Sequence, residues 1–511
     1  MLASAIALPS SAQETPWQAS VNSAADTVQP DEFLTLREAI LLANGELALA
    51  NLSPTELQRL SPAARPTIAF DLPTAQTMIA LQSELPAIAR PNLLLDGTTQ
   101  PAPVDASVAP TAPQLQPPRV AIVPAEGTAI PRGLTITASG VTVRGFSFAG
   151  FHSNGQTSGL LPANILISHP LPPPDANQQY IAAHHQPFMP DNLPPQDVVL
   201  EQNWFGILPS GQPPERRSAF GVYVLNGDRL QLRRNRFAHH SGSAIITGFR
   251  APGLQVVENV IEQNGFAGMP DALRLEGDIS GAQIQANAIR GNAGSALYLF
   301  KPTGRVLVVN NEITDNGRGQ SRAAIYLMGH QHEVIDNWIS GQSGPGIVVA
   351  ANPTAQGVAI VGNQFADLQG LSIDLVTQLN VDVQTYDQGD GRNPPLSHHH
   401  RRRQTANYGI NAPRFASPEF LPLPSGQVTV LGQAEPGAQV DFYQLAAGDE
   451  WGALSRLLGS ASVNESGQFA ATLMGLGPGE RLSAIATHPD YGTSEPALPV
   501  EIRPLVGAES P

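Results

Sequence analysis

The chain has 511 residues with 28 basic and 43 acidic side chains, a net charge of −15, 47 Gly, 47 Pro and no Cys. Charged residues make up 14%, against roughly 25% in an average soluble domain; that is too few for a solvated coiled coil, and this much Gly and Pro does not suit a helical bundle. The acidic balance argues against a nucleic acid as partner, the lack of Cys excludes disulfides and thiolate metal sites, and no stretch approaches the ~18 apolar residues of a transmembrane helix.

Residues 1–24 read as a signal remnant and a disordered terminus. Met1 to Gln13 is apolar with small residues near Ala12, like the end of a secretory signal, although the first cation is Arg37. A plain Ala/Ser-rich terminus is the other reading, and export is preferred. Residues 25–150 read as an N-terminal cap and first coils. Thr35 with Glu38 forms a capping box ahead of the apolar face Leu36, Ala39, Ile40 and Ala43. Ser53 with Glu56 predicts a second short helix, and short strands follow at 67–70, 92–97 and 134–151. Residues 101–118 and 151–197 are Pro-rich and read as surface excursions.

The segment 198–380 carries a repeat. Asn203, Asn235, Asn259, Asn287, Asn311, Asn337 and Asn363 recur at separations of 24 to 32 residues. Each has an apolar residue three positions before it (Leu200, Leu232, Val256, Ile284, Val308, Val334, Ile360) and a large apolar residue two positions after it (Phe205, Phe237, Ile261, Ile289, Ile313, Ile339, Phe365). A second alternating strand follows each turn and opens on a small residue: Gly221, Ala244, Ala272, Ala296, Ala324, Gly346 or Ser372. Strand–turn–strand units of this period predict an all-β fold, a right-handed parallel β-helix with coils roughly 4.8 Å apart. The Asn side chains either bond from coil to coil or favour left-handed turns; both readings give this fold. A leucine-rich repeat needs more fixed Leu positions and a helical return.

Residues 381–416 read as a connector. Residues 417–505 change to short strands between Gly/Pro turns and predict a C-terminal β-sandwich. Several segments carry a resemblance: LTLREAILLAN at 34–44, IAFDLP at 68–73, ELPAIARPNLLLDGTTQP at 84–101, DQGDGRNPP at 387–395 and NYGINAPRF at 407–415. With the Asn repeats, they resemble bacterial CSLREA-type right-handed parallel β-helix proteins over most of residues 25–415. Leu34-Thr35 stands where that family has Cys-Ser, which loses a thiol and keeps a hydroxyl N-cap. GQAEPGAQVDFYQ at 432–444 and LSAIATHPDYGTSE at 482–495 are similar to bacterial Ig-like modules. The resemblance implies a secreted or cell-surface protein and transfers no catalytic site.

Period two places Tyr223, Ile246, Arg274, Tyr298, Tyr326, Val348 and Asp374 in one outward column, with Leu225, Gly248, Glu276, Phe300 and Met328 in the next. Tyr223, Arg274, Tyr298, Phe300 and Tyr326 are the expected ligand-binding residues, since aromatic faces beside charged groups suit sugar rings. A stack that only supports the sheet is the alternative. Asp271, Arg274, Glu276 and Asp278 are the candidate catalytic residues for a polysaccharide lyase or glycoside hydrolase; an ion-paired edge is the other reading. Asp382, Asp387 and Asp390 are candidate Ca²⁺ ligands, in a chain that otherwise calls for no cofactor. His398–His400 beside Arg401–Arg403 forms a local basic run. No acid pair recurs from coil to coil. The preferred reading is therefore non-enzymatic binding of a polysaccharide or cell-surface glycan, with a lyase or hydrolase acting on an acidic or neutral polysaccharide as the alternative.

Overall fold

The computed structural model describes residues 16–102, 115–154, 161–170, 192–318, 321–351, 354–377, 386–395 and 404–504. Between Asn203 and Asn363 each coil, 24 to 32 residues long, lays one strand in each of three long sheets, of twelve, ten and nine strands. Strands of successive coils pair in parallel and in register. Leu232 faces Val256, which faces Ile284, in the first sheet. Phe237 faces Ile261, which faces Ile289, in the second. The fold is a right-handed parallel β-helix with an N-terminal helical cap and a C-terminal β-sandwich.

One coil shows why the repeat reads as it does. Val256 points into the core, Val257 out, Glu258 turns the chain, Asn259 points in, Val260 out and Ile261 in. The residue before the Asn takes the left-handed conformation: Gln202, Arg234, Glu258, Ala286, Asn310 and Asp336 have φ between 53° and 57°, and Gly362 has φ 70°. The Asn side chains are therefore not the turn makers. From Asn235 onward each Oδ1 accepts from the backbone N–H and from Nδ2 of the previous Asn, as Asn287 does from Asn259 at 2.9 and 3.0 Å. The ladder runs unbroken from Asn203 to Asn363 and satisfies the amides of a corner that sheet pairing leaves open.

A second ladder lies five residues further along each coil. Asn264, Asn292 and Asn316 bond in the same way, Asn264 Nδ2 to Asn292 Oδ1 at 2.9 Å and Asn292 Nδ2 to Asn316 Oδ1 at 2.8 Å. His240 starts it, with Nδ1 2.8 Å from Asn264 Oδ1. Inside the coils, Phe148, Phe205 and Phe237 stack with ring centroids 5.6 and 4.7 Å apart.

At the start, Trp17–Val21 pairs in parallel with Thr67–Phe70. This corrects the reading of residues 1–24 as disordered throughout; the apolar segment Met1–Gln13 lies outside the described residues. The helix Leu36–Asn44 has the expected capping box of Thr35 and Glu38 and ends on left-handed Gly45. Pro54–Leu57 has its own box from Ser53 and Glu56. Much of the Pro-rich stretches, 103–114 and 171–191, lies outside the described residues.

The C-terminal unit folds as antiparallel strands in two sheets, one built around Val428–Gln433 and Gln468–Leu473, the other around Gln439–Leu445, Leu454–Ser462 and Arg481–His488. With Asn407 of the connector, it closes the last coil. Val358 N–H donates to Asn407 Oδ1 at 2.9 Å, Ile360 N–H to Thr493 Oγ1 at 2.8 Å and Leu375 N–H to Glu495 Oε1 at 3.2 Å. These groups take the place of a further coil on what would otherwise be an open sheet edge.

Candidate functional site

The third sheet carries an open groove. Four of its strands, Phe220–Asn226, Ile245–Arg250, Leu273–Asp278 and Leu297–Thr303, are six or seven residues long, whereas the next two, Ile325–Leu327 and Ile347–Val349, have three. The long strands project a ledge past the corner. Register shifts at Val224/Asn226 and Glu276/Asp278 re-aim it. Gly277, with φ 78°, makes the second shift; a Cβ there would collide with Phe249 O. The groove holds about 890 Å³ between Tyr223, Gly248, Phe249, Arg250, Arg274, Glu276, Asp278, Phe300 and Lys301, with Leu161 and Met269 among its walls.

The predicted column is present in register: Tyr223 faces Ile246, then Arg274, Tyr298, Tyr326, Val348 and Asp374. Its openness is corrected. Tyr223 is 1% exposed, and Tyr298 and Tyr326 are 2% exposed each. Tyr298 and Tyr326 stack on each other at 5.0 Å and 22°, in a cluster with Ala323, Met328 and Val348. Residues Tyr386–Gln388 lie against this face, with Ala323 N–H donating to Asp387 O at 2.9 Å. The two Tyr faces are thus closed to a ligand, and neither ring lines the groove. Tyr223 does line it; burial pushes its phenol above the usual range, and its hydroxyl is buried with no hydrogen-bond partner among the described residues.

Arg274 is the hub of the site. Its Nε donates to Glu276 Oε1 at 2.6 Å, and its guanidinium lies 4.8 Å from the ring centroids of both Tyr298 and Phe300. Its Nη1 also lies 3.6 Å from Asp271 Oδ2. Asp271 is corrected as a site residue. It is fully buried behind the sheet, where it accepts from Ser295 N–H at 3.0 Å and pairs with Arg322 at 3.4 Å. Burial pushes its carboxyl up against the pull of Arg322 and Arg274. Glu276 and Asp278 do reach the groove, and Asp278 Oδ1 accepts from Ser280 N and Oγ at 3.1 and 2.6 Å.

Of the candidate Ca²⁺ ligands, Asp382 lies outside the described residues. Asp387 pairs with Arg322 at 3.0 Å, and Asp390 Oδ2 accepts from Thr377 N–H at 3.0 Å. Each faces its own partner, and among the described residues no group of three or more His, Asp or Glu is placed to hold a metal ion. The basic run at His398–His400 lies outside the described residues.

Sequence reasoning missed Phe249, Arg250 and Lys301 as residues of the groove. All three stand past the register shifts, where simple alternation no longer tells which way a side chain points. The signal available was strand length: GFRAPG at 248–253 and LFKPTG at 299–304 both extend the apolar alternation before their turns.

The architecture and the groove define a right-handed parallel β-helix with one open, polar-and-aromatic face. The family profile of the right-handed β-helix region matches residues 220–385. Among solved structures, the periplasmic alginate epimerase AlgG is similar at 11% identity and a TM-score of 0.38, over 74% of this chain and 77% of that one. An alginate lyase in complex with a trisaccharide is similar at 11% identity and a TM-score of 0.35, over 75% and 77%. The enzymatically active domain of bacteriophage CBA120 tailspike protein 2 is similar at 10% identity and a TM-score of 0.34, over 85% and 71%. No curated protein matches.

Proposed function

We propose that this chain is an exported or cell-surface β-helix protein that binds a polysaccharide along the groove of its third sheet. The observation that carries the reading is the groove itself. Phe249, 45% exposed, and the half-buried Phe300 stand beside Arg250, Glu276, Arg274 and Lys301, the last two lying over the Phe300 ring. A pyranose ring has C–H faces that pack on aromatic rings and hydroxyls that bond to charged groups, and this surface supplies both. Tyr298 and Tyr326, expected to touch the ligand, support Arg274 and Phe300 from beneath instead.

Binding is preferred to catalysis because, of the acids on this strand, Glu276 is held by Arg274, Asp278 Oδ1 is taken up by Ser280, and Asp271 is sealed away from the groove. The lyase or hydrolase reading is tested in the same samples by reducing-end and unsaturated-uronate assays. The resemblance of the N-terminal segment to CSLREA-type proteins is supported by the Thr35–Glu38 cap. The Ig-like reading of the C-terminal unit is supported by its two sheets of mainly antiparallel strands.

The decisive experiment is retention on a glycan panel with Phe249→Ala combined with Phe300→Ala. Each side chain is partly exposed, so the fold is kept. Retention is expected to weaken by about tenfold or more, equivalent to about 1.4 kcal/mol of lost contact. Unchanged retention, or depolymerisation abolished by Glu276→Gln, would overturn the binding reading.

A further inference from the structure

We propose that the glycan taken by this groove is a polyanion, a chain of uronic-acid or sulfated sugars, and that Arg250 and Lys301 read its charge. This rests on the groove being a glycan site.

The argument begins with which cations are already neutralised. On the coils around the groove, Arg229, Arg233, Arg234, Arg236, Arg290 and Arg305 are each ion-paired to an Asp or Glu. Within the groove, Arg274 is paired with Glu276 and Asp271. Arg250 and Lys301 have no carboxylate partner among the described residues. Arg250 is half-buried, and its Nε is buried with no hydrogen bond, an arrangement folded proteins rarely leave without a further partner. Beneath the same groove, the Tyr223 hydroxyl is a second buried group with no partner among the described residues. A ligand that brings charged oxygen atoms would give Arg250, through the exposed part of its side chain, and the exposed Lys301 the partner that each lacks.

Their placement fits an extended chain rather than a single ion. Arg250 faces Asp278, and Asp278 faces Thr303, so Arg250 and Lys301 stand on strands two coils apart, roughly 10 Å at the usual strand spacing. Lys301 Nζ lies 5.3 Å from the Phe300 ring centroid, which places a cation next to the surface where a sugar ring would rest. The groove carries three cations, Arg250, Arg274 and Lys301, against Glu276 and Asp278, in a chain of net charge −15. Repulsion from the rest of the molecule is screened over ~8 Å at physiological salt, whereas contact with the groove cations is not.

Lys301 is the only lysine in the chain, which makes the test direct. Acylation of Lys301 by an amine reagent is followed by mass spectrometry with the full chain, in the presence of an oligogalacturonate, a sulfated oligosaccharide, or the carboxyl-reduced neutral counterpart of the first. At least one anionic oligosaccharide is expected to slow acylation of Lys301, and the neutral one to leave it unchanged. Arg250→Gln and Lys301→Gln are each expected to weaken retention of that anionic glycan by about tenfold, leaving the thermal melt in place. Equal retention of neutral and anionic chains, or retention of neutral chains alone, would leave the groove reading standing and overturn the charge inference. An anionic chain that binds without protecting Lys301 and without loss in either variant would do the same. Retention of no glycan by the parent chain would overturn both.

Discussion

Replacing Asn287 by Ala removes four buried hydrogen bonds at one corner. Oδ1 accepts from Asn259 N and Nδ2 at 2.9 and 3.0 Å, and Nδ2 donates to Val256 O at 2.8 Å and to Asn311 Oδ1 at 2.9 Å. At about 1 kcal/mol for each bond lost in a buried setting, the substitution is expected to destabilise the surrounding coils by about 4 kcal/mol. Repeat arrays open locally, so the appropriate assay is hydrogen exchange across residues 232–340 under increasing urea, alongside the global transition. The Asn259 amide is expected to lose protection first. Asn287→Asp keeps the acceptor and forfeits the donor while burying a carboxyl. It should be damaging at neutral pH and recover as the pH falls and the carboxyl is protonated. A cost below about 1 kcal/mol for Asn287→Ala, with the Asn259 amide still protected, would refute the reasoning that the ladder holds the corner.

Tyr326→Ala should act on stability rather than on ligand contact, since the ring is buried; a loss of about 3 kcal/mol in chemical denaturation is expected, and an unchanged midpoint with lost glycan retention would mean that the ring faces the ligand after all. Burial first of all pushes the Glu495 carboxyl up to about 7, against the hydrogen bonds from Asn393 and Leu375 and the charge of Arg392. The folded state therefore binds its proton more tightly than the unfolded chain does. The stability this gives is complete below the ordinary Glu range and is lost as pH rises through about 7. Glu495→Gln should flatten that part of the stability profile, and an unaltered slope between pH 5 and pH 8 would count against it. His240 works in the opposite direction: burial lowers its pKa to about 4, so its contribution is present above the normal His range and is lost as pH falls through about 4. His240→Asn, which extends the second ladder, should blunt acid unfolding between pH 6 and pH 4, and an equally steep acid limb would exclude this role.

The winding was legible because the fold repeats the same physical problem at every coil. Val256, Asn259 and Ile261 point inward for reasons that recur unchanged at Ile284, Asn287 and Ile289, so three columns could be aligned from residues alone. The outward columns were read in the correct register, but outward from the coil was equated with open to solvent. Tyr298 and Tyr326 break that equation, because whether another segment lies over a sheet face depends on contacts with residues 60 or more positions away, such as Ala323 with Asp387. Asp271 was grouped with Glu276 by proximity in the chain, although it precedes the strand and turns behind it. Arg250 and Lys301 escaped notice because a register shift inverts alternation and leaves no mark in composition. The second ladder is partly visible as Asn-Gly at 264 and 316, a pair that by itself signals only a turn. Closure of the last coil by Thr493 and Glu495 spans more than 100 residues and has no local signature.

The fixed step of five residues between the two Asn ladders has a further consequence. From Asn259 to Asn264, Asn287 to Asn292 and Asn311 to Asn316 the count never varies, while whole coils range from 24 to 32 residues. Any residue gained or lost must therefore enter beyond the second ladder, along the stretch that borders the groove. A chain built in this way can have its groove reshaped by lengthening or trimming its margin, with the spool underneath left untouched.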